Sequence, residues 1–381
     1  MKKSLSLIVF LAGLASCIYP YKSDLEDSSE NIIVFDGKII VGGVSTVSIS
    51  RVLTFEEGVF APRGVTEGTA WIEDDEGNKY YPDNYPSKQS SFLIPTEDVS
   101  PGRKYRMMAD VDDKLYVSDW LEAIDPPVID DISIDYDPND STSVQVLVSA
   151  HGGDSGTGYI GLSFDETWEF HSEWVCRYEL DTSRWREVER TSPYPNYWCW
   201  KTNSFKGLIL VDYSEFTEDR VTDYQILRFS TRDNRNHKKY SINVKAINLS
   251  PDTYNYLKNL NDISKGSGSL FSPNPGEMAS NIRCDSDPSC RVLGYITASL
   301  ETSKRVFIDS RYYNPPLAST SYLFIPDNKR ESYEFGFYPV DFMILPKGDN
   351  GEDLEGIYWG PLRCIDCVAD GGTKTKPDFW E

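Results

Sequence analysis

The sequence predicts a mainly all-β chain, on three observations. Tyr, Val, Ile and Thr recur throughout, with 24 Tyr and 9 Trp among 381 residues, and such side chains suit a half-buried pleated surface. Apolar positions come in short runs, several of them alternating with polar ones, whereas long helix-forming runs are rare. Clusters of Asp, Asn, Gly and Pro separate the runs as turns would. Hydrophobic residues make up 39% of the chain, enough for sizeable cores, and the length suggests more than one domain.

Asn31 to Val41 is apolar around a central Asp36-Gly37, and Val47, Ile49, Arg51 and Leu53 alternate with their neighbours. Thr69 to Glu73 and Lys79 to Tyr81 flank Asp74-Asp75-Glu76-Gly77-Asn78, a hairpin turn. Tyr105 to Asp110 and Leu115 to Trp120 flank Asp112-Asp113, a second one. Such closely spaced short strands over 31–125 predict an immunoglobulin-like β-sandwich. Asp125-Pro126-Pro127 is the expected boundary, because proline stiffens the chain and breaks strand pairing.

A larger β-rich domain is expected over 128–381. Its strands are Ile129 to Tyr136, Ser143 to Ser149, Tyr159 to Phe164, Phe205 to Val211, Tyr224 to Ser230 and Tyr240 to Asn248. One packed α-helix is expected at 251–264. Ser250 is a good N-cap, Pro251 suits the first helical position, Asp252 complements the dipole, and Lys265 and Gly266 supply the stop. Strands follow at Val292 to Leu300, Lys304 to Asp309, Tyr322 to Ile325 and Ser332 to Phe337, before a tail rich in Cys, Gly and Pro.

The first residues bear on location. Met1-Lys2-Lys3 is a basic head, Leu5 to Leu14 is apolar, and Leu14-Ala15-Ser16-Cys17 closes the run. This reads as a lipoprotein signal peptide over 1–16, cut before Cys17, whose sulfur takes the lipid as a palmitate-type anchor. The apolar run is about half the ~20 residues that span a bilayer. Residues 17–30 then read as a charged, Ser-rich tether. Ile18 stands where an Asp would signal inner-membrane retention, which points to the outer membrane, and the acidic Asp24, Glu26 and Asp27 resemble surface-export signals.

A net charge of −22 argues against nucleic acid as a partner. Apart from Cys17, the cysteines fall in neighbouring pairs: Cys176 and Cys199, Cys284 and Cys290, Cys364 and Cys367. In an oxidising compartment an even count reads as disulfides, and the sequence does not choose the connectivity. Cys364-Ile365-Asp366-Cys367 has redox-motif spacing without the strand-to-helix context, and a zinc site from the last two pairs would have unusual spacing.

No catalytic constellation stands out. His151, His171 and His237 form no zinc motif, and no nucleophile elbow or phosphate loop is present. His151-Gly152-Gly153-Asp154-Ser155-Gly156 reads as a loop between strands. Asp135-Tyr136-Asp137-Pro138-Asn139-Asp140 and Asp349-Asn350-Gly351-Glu352-Asp353 have the oxygen density of a calcium loop but read as solvated turns. No metal or other cofactor is expected. The densest aromatic stretch, Tyr194-Pro195-Asn196-Tyr197-Trp198-Cys199-Trp200, is a candidate binding surface through Tyr194, Tyr197, Trp198 and Trp200, or packing beside a disulfide at Cys199. In a strand, Trp198 and Trp200 would share a face and Tyr197 would take the other.

Several segments together carry a family resemblance. They are Leu249-Ser250-Pro251-Asp252 with Tyr254, Tyr256, Leu257 and Leu260, then Gly268-Ser269-Leu270-Phe271-Ser272-Pro273, Asn281-Ile282, Val292-Leu293-Gly294-Tyr295 and Lys304-Arg305-Val306-Phe307-Ile308. The chain ends with Cys364-Ile365-Asp366-Cys367, Gly371-Gly372-Thr373 and Lys376-Pro377-Asp378-Phe379-Trp380. Over essentially the whole mature chain this resembles the Bacteroidota lipoprotein family catalogued as domain of unknown function 4249. The resemblance implies an outer-membrane, cell-surface lipoprotein and an accessory role beside a TonB-dependent transporter in nutrient uptake. It brings no catalytic residues with it.

The expectation is therefore a non-enzymatic binding partner of a TonB-dependent outer-membrane transporter, held to the bilayer by its acyl anchor. A carboxylate-dependent glycan hydrolase and a structural or adhesive surface protein are the alternatives.

Overall fold

The computed structural model describes residues 32–51, 63–65, 68–83, 91–97, 99, 102–266, 280–309, 323–345 and 354–380. The signal peptide, Cys17, the tether, Leu53, the segment 268–273 and the acidic stretch 349–353 lie outside the described residues.

The chain is mainly β, as its composition predicts. Among the described residues, nine strands form one long sheet. Its order runs Trp198–Ser204, Tyr159–His171, Lys239–Asn248, Val292–Asp309, Ile33–Val41, Val44–Arg51 and Arg63–Gly64. Ile209–Asp212 shares one flank with Trp198–Ser204, and Ser91–Pro95 shares the other with Arg63–Gly64.

The Val292–Asp309 strand joins the two halves of this sheet. Residues Val292 to Leu300 pair parallel with Ile33–Val41, while Glu301 to Asp309 pair antiparallel with Lys239 to Ile247. Two strands were expected here, with a break at 301–303. Instead Glu301, Thr302 and Ser303 pair with Ile247, Ala246 and Lys245 and keep the strand continuous.

Two smaller sheets cover opposite ends of one face of the long sheet. Thr69–Asp74, Lys79–Tyr80, Lys104–Val111, Lys114–Ser118, Leu121–Glu122 and Ile282–Cys284 make the first cover. Phe35, Val47, Ile49, Ile72, Phe92, Met107 and Tyr116 fill the core beneath it, completing an immunoglobulin-like sandwich. Val128–Asp137, Asp140–His151 and Arg220–Ser230 make the second cover, over Val144, Val146, Val148, Leu162, Phe164 and Val244.

The first core also contains Ile282, Cys284, Ile296 and Ala298. The prolines at 126–127 therefore divide the two covers, but the long sheet beneath them is common to both. Among the described residues, the core of the predicted 31–125 sandwich is shared with side chains from 282–300.

Both predicted hairpins form, each with a local reason. Asp74 accepts from the backbone of Glu76 and Asn78 at 3.0 and 2.9 Å and from the Asn78 side chain at 2.8 Å. Asp112 and Asp113 both take positive φ, 54° and 58°, the conformation a tight two-residue turn needs. Asp140 closes the 128–151 hairpin by accepting from Thr142 and Ser143. Of the expected turn at 135–140 only Pro138 and Asn139 turn, while Asp135, Tyr136 and Asp137 extend one strand and Asp140 begins the next.

Two glycines in the quoted motifs permit close strand approach. Gly294 sits at φ 121°, where a Cβ would lie 1.8 Å from the Phe35 carbonyl oxygen. A Cβ on Gly37 would meet Ile296 and the Thr46 carbonyl at 2.9 Å. Both keep the Ile33–Val41 strand tight in the seam between its neighbours.

Helix α1 (Pro251–Gly266) begins where the sequence places it, with Ser250 Oγ accepting from Thr253 N–H at 3.1 Å. A second helix, α2 (Lys329–Glu334), overturns part of the expected strand at Ser332 to Phe337. Asn328 caps it by accepting from Glu331 N–H, and Arg330 pairs with Glu334 one turn on. The strand begins only at Phe337. Around α2, the Tyr178–Asp181 and Arg186–Glu189 hairpin and the pair Phe337–Leu345 and Leu354–Pro361 form a small third unit. Its core holds Cys176, Leu323, Val340, Tyr358, Cys364 and Ile365.

Candidate functional site

Strand alternation gives the long sheet a second, outward face. Ile160, Leu162 and Phe164 point into a core, so Ser163 and Asp165 point the other way. Likewise Phe35 and Ile39 face inward while Asp36, Lys38 and Ile40 face outward, and Phe92 and Ile94 bracket an outward Leu93. Helix α1 lies over part of this outward face. Its Tyr254 stacks on Tyr159 at 4.4 Å and packs with Ile40, Ile247 and Leu249. Its Tyr256 stacks on Tyr295 at 4.6 Å.

The rest of the face is an open groove of about 1380 Å³. Four large apolar side chains line it while remaining 39–47% exposed: Val44, Leu93, Phe205 and Leu260. Its charged lining is balanced, with Asp36, Asp165 and Glu301 against Lys38, Lys206 and Lys245. That balance contrasts with the chain as a whole at −22.

The two ends of the groove differ electrostatically. Asp36 is exposed to water but flanked by protein, and this desolvation raises its pKa, with Lys38 opposing. At the other end burial would raise Asp165, but Ser204 and a 2.9 Å ion pair with Lys245 lower it. A raised and a lowered carboxyl in one cleft suggest acid–base chemistry, so their spacing matters. Three strand steps separate them, about 14 Å at the usual ~4.8 Å spacing, before any stagger along the strands. That exceeds the ~5–9.5 Å of a glycosidase pair.

The aromatic candidates sit elsewhere and are packed among neighbours. Tyr197 precedes the Trp198–Ser204 strand and stacks on His171 at 5.2 Å, and Trp198 meets the same imidazole edge-on at 5.0 Å. Both rings therefore lie beside one histidine, where strict alternation would have separated them. His237 completes the stack at 4.3 Å from His171, and Lys238 lies over Trp198. Burial and the neighbouring His171 lower His237 to about 4. Tyr194 turns to the third unit, where its hydroxyl donates to Asp366 at 2.7 Å and Arg190 covers its ring. Trp200 borders the tail, pairing with Thr373 as an isolated bridge.

Cys199 and Cys367 form a disulfide, 168 residues apart in sequence. It crosses between two neighbouring pairs, where closing each pair would have made short loops. With the Thr373 bridge and a buried Trp380 set edge-on to Phe307 at 5.6 Å, it ties the C-terminal motif to the long sheet. Cys176, Cys284, Cys290 and Cys364 are thiols. His151 pairs with Asp130 at 3.0 Å, and a short turn, Gly153–Ser155, follows it as expected of a loop between strands. Among the described residues no group of three metal-ligating side chains gathers, and no helix is long and apolar enough to cross a membrane.

Sequence reading missed the groove. The alternation that builds it was legible, but both faces of these strands carry apolar residues, so no pattern marked one face as open.

Among solved structures, the chain is similar to the crystal structure of chicken CNTN1 FN1-FN3 domains, at 13% identity and a TM-score of 0.16. The match covers 57% of this chain and 59% of that one. No curated protein matches. A family described as a domain of unknown function, DUF4249, matches residues 18–305, and the chain belongs to that family.

Proposed function

We propose that this chain is a lipid-anchored surface protein of a Bacteroidota outer membrane and a non-enzymatic binding partner of a TonB-dependent transporter. The groove on the long sheet is its contact surface. One observation carries the binding role: Val44 and Leu93 from the sheet, Phe205 from the loop after the Trp198–Ser204 strand and Leu260 from α1 collect around one groove and stay exposed, although a core for apolar side chains lies on the other face of the strands that carry Val44 and Leu93. A balanced lining in an acidic chain fits a partner of mixed charge. The acyl anchor expected at Cys17 supplies proximity, which raises the effective concentration of a partner in the same membrane.

Affinity purification of the full chain from native outer membranes tests this reading. Recovery of a β-barrel transporter is expected, falling at least tenfold with the double substitution Val44→Ser and Leu260→Ser at unchanged thermal stability. Recovery of no β-barrel protein, or equal recovery with the double variant, would overturn it.

A further inference from the structure

Among the described residues, Cys284 and Cys290 lie where the second half of the chain enters the first sandwich. Cys284 ends the Ile282–Cys284 strand, which pairs with Lys114–Ser118, and Cys290 precedes the Val292–Asp309 strand. The intervening turn is fixed by Cys290 N–H donating to the Asp287 carbonyl at 3.0 Å, and by Asp287 accepting from Ser289. The two thiols pack in the same core, Cys284 opposite Tyr116 in the strand register, and the Tyr116 hydroxyl contacts the Cys290 sulfur at 3.4 Å. Cys284 is buried in the first core, while Cys290 is partly exposed. Lys114, anchored to Asp287 at 3.3 Å, places a cation near both sulfurs.

The other free pair is arranged differently. Cys176 and Cys364 share a core, but each thiol donates to backbone carbonyls: Cys176 to Tyr178 and Pro339, Cys364 to Pro361. Burial pushes Cys364 up to about 12, far from a reactive thiolate. Burial raises the Cys284 thiol too, so it is the partly exposed Cys290, a member the other pair lacks, that can attack.

We propose that Cys284 and Cys290 are a reactive dithiol that closes to a second disulfide, stapling the turn that joins the first cover sheet to the long sheet beneath it. Cys290, the accessible member, attacks a disulfide of an exchange partner as its thiolate, and one partner sulfur leaves as a thiolate. Cys284 then loses its proton to water and attacks the Cys290 sulfur, releasing the second partner thiolate. Two protons leave the protein and two electrons pass to the partner disulfide, which becomes a dithiol. The Cys199–Cys367 bond already present shows that the chain supports a disulfide elsewhere.

Trypsin makes the test direct, because Arg283 and Arg291 bound a single peptide that contains both cysteines. The full chain, reduced and then exposed to oxidised glutathione, is alkylated under native conditions, digested and weighed. The expected result is a 284–291 peptide two hydrogens lighter and unalkylated, from both the wild type and a Cys176→Ser, Cys364→Ser variant. A doubly alkylated 284–291 peptide in a sample whose Cys199–Cys367 bond has re-formed would overturn the proposal. So would a bond from either cysteine to Cys176 or Cys364.

Discussion

The two sandwiches share a sheet but bury carboxylates in different ways. In the first, Asp74 is fully covered and serves its own hairpin. Burial would raise its pKa, but hydrogen bonds from Asn78, Glu76 and Tyr80 outweigh that and lower it. These three donors lie within six residues of it, and Arg103, beside the neighbouring Lys104–Val111 strand, adds an ion pair at 3.1 Å. In the second, Glu166 points into the core from the Tyr159–His171 strand and gathers partners from across the fold. Arg235 binds it with two nitrogens at 2.7 and 2.8 Å, Tyr240 donates at 3.0 Å and Asn203 at 2.8 Å. The Arg235 guanidinium in turn lies over Trp168 and Phe229 at 4.7 and 5.4 Å. One carboxylate stabilises a turn. The other joins three strands and a loop, so its loss propagates further.

The sharpest break in this comparison is Glu166→Gln. It leaves the buried guanidinium without its main counter-charge and is expected to cost about 3 kcal/mol or more in urea unfolding. A loss below about 1 kcal/mol would mean that Asp233, the second carboxylate on Arg235 at 3.0 Å, suffices alone. Asp74→Ala is expected to cost less, about 1–2 kcal/mol, because the freed donors sit in a turn that water reaches. Its effect should stay local, with faster amide exchange at 76–80 and 103–106 and unchanged exchange at 239–248.

Acid separates the two regions further. His237 is depressed to about 4, so an unfolded chain binds its proton first, near the ordinary 6.5. Its contribution is complete above pH 6.5 and is lost as the pH falls towards 4. Asp74 is depressed below 3.8, so its contribution is complete above that value and is lost only as the pH falls further. Lowering the pH from 7 to 4.5 should therefore loosen strands around His171 and His237 while the 69–80 hairpin holds. Hydrogen exchange followed across that range, corrected for intrinsic rates, checks the order. Simultaneous loosening would show that the shared sheet couples the two regions.

Much of the fold was legible because its signals are local. The turn at 74–78, the positive-φ pair at 112–113 and the Ser250-Pro251-Asp252 helix start each depend on residues a few positions apart. Errors came where local signals competed. Ser332 to Phe337 contains aromatics that favour a strand, but the Asn328 cap and the Arg330–Glu334 pair start a helix there first. At 301–303 polar residues looked like a break, yet they pair in the middle of a strand because one side of it meets the groove.

The sequence by itself determined a β-rich chain, its hairpins, its main helix and the alternation that divides each strand into two faces. These follow from short-range sterics and hydrogen bonding, which act on neighbouring residues whatever the rest of the chain does. Only the tertiary structure decided that the Val292–Asp309 strand joins two sandwiches into one sheet. It alone paired Cys199 with Cys367 and left one face as a groove with exposed apolar side chains. Those outcomes depend on contacts between segments far apart in sequence, 168 residues for the disulfide, and many such pairings satisfy the same local pattern. Packing against a particular neighbour selects one of them.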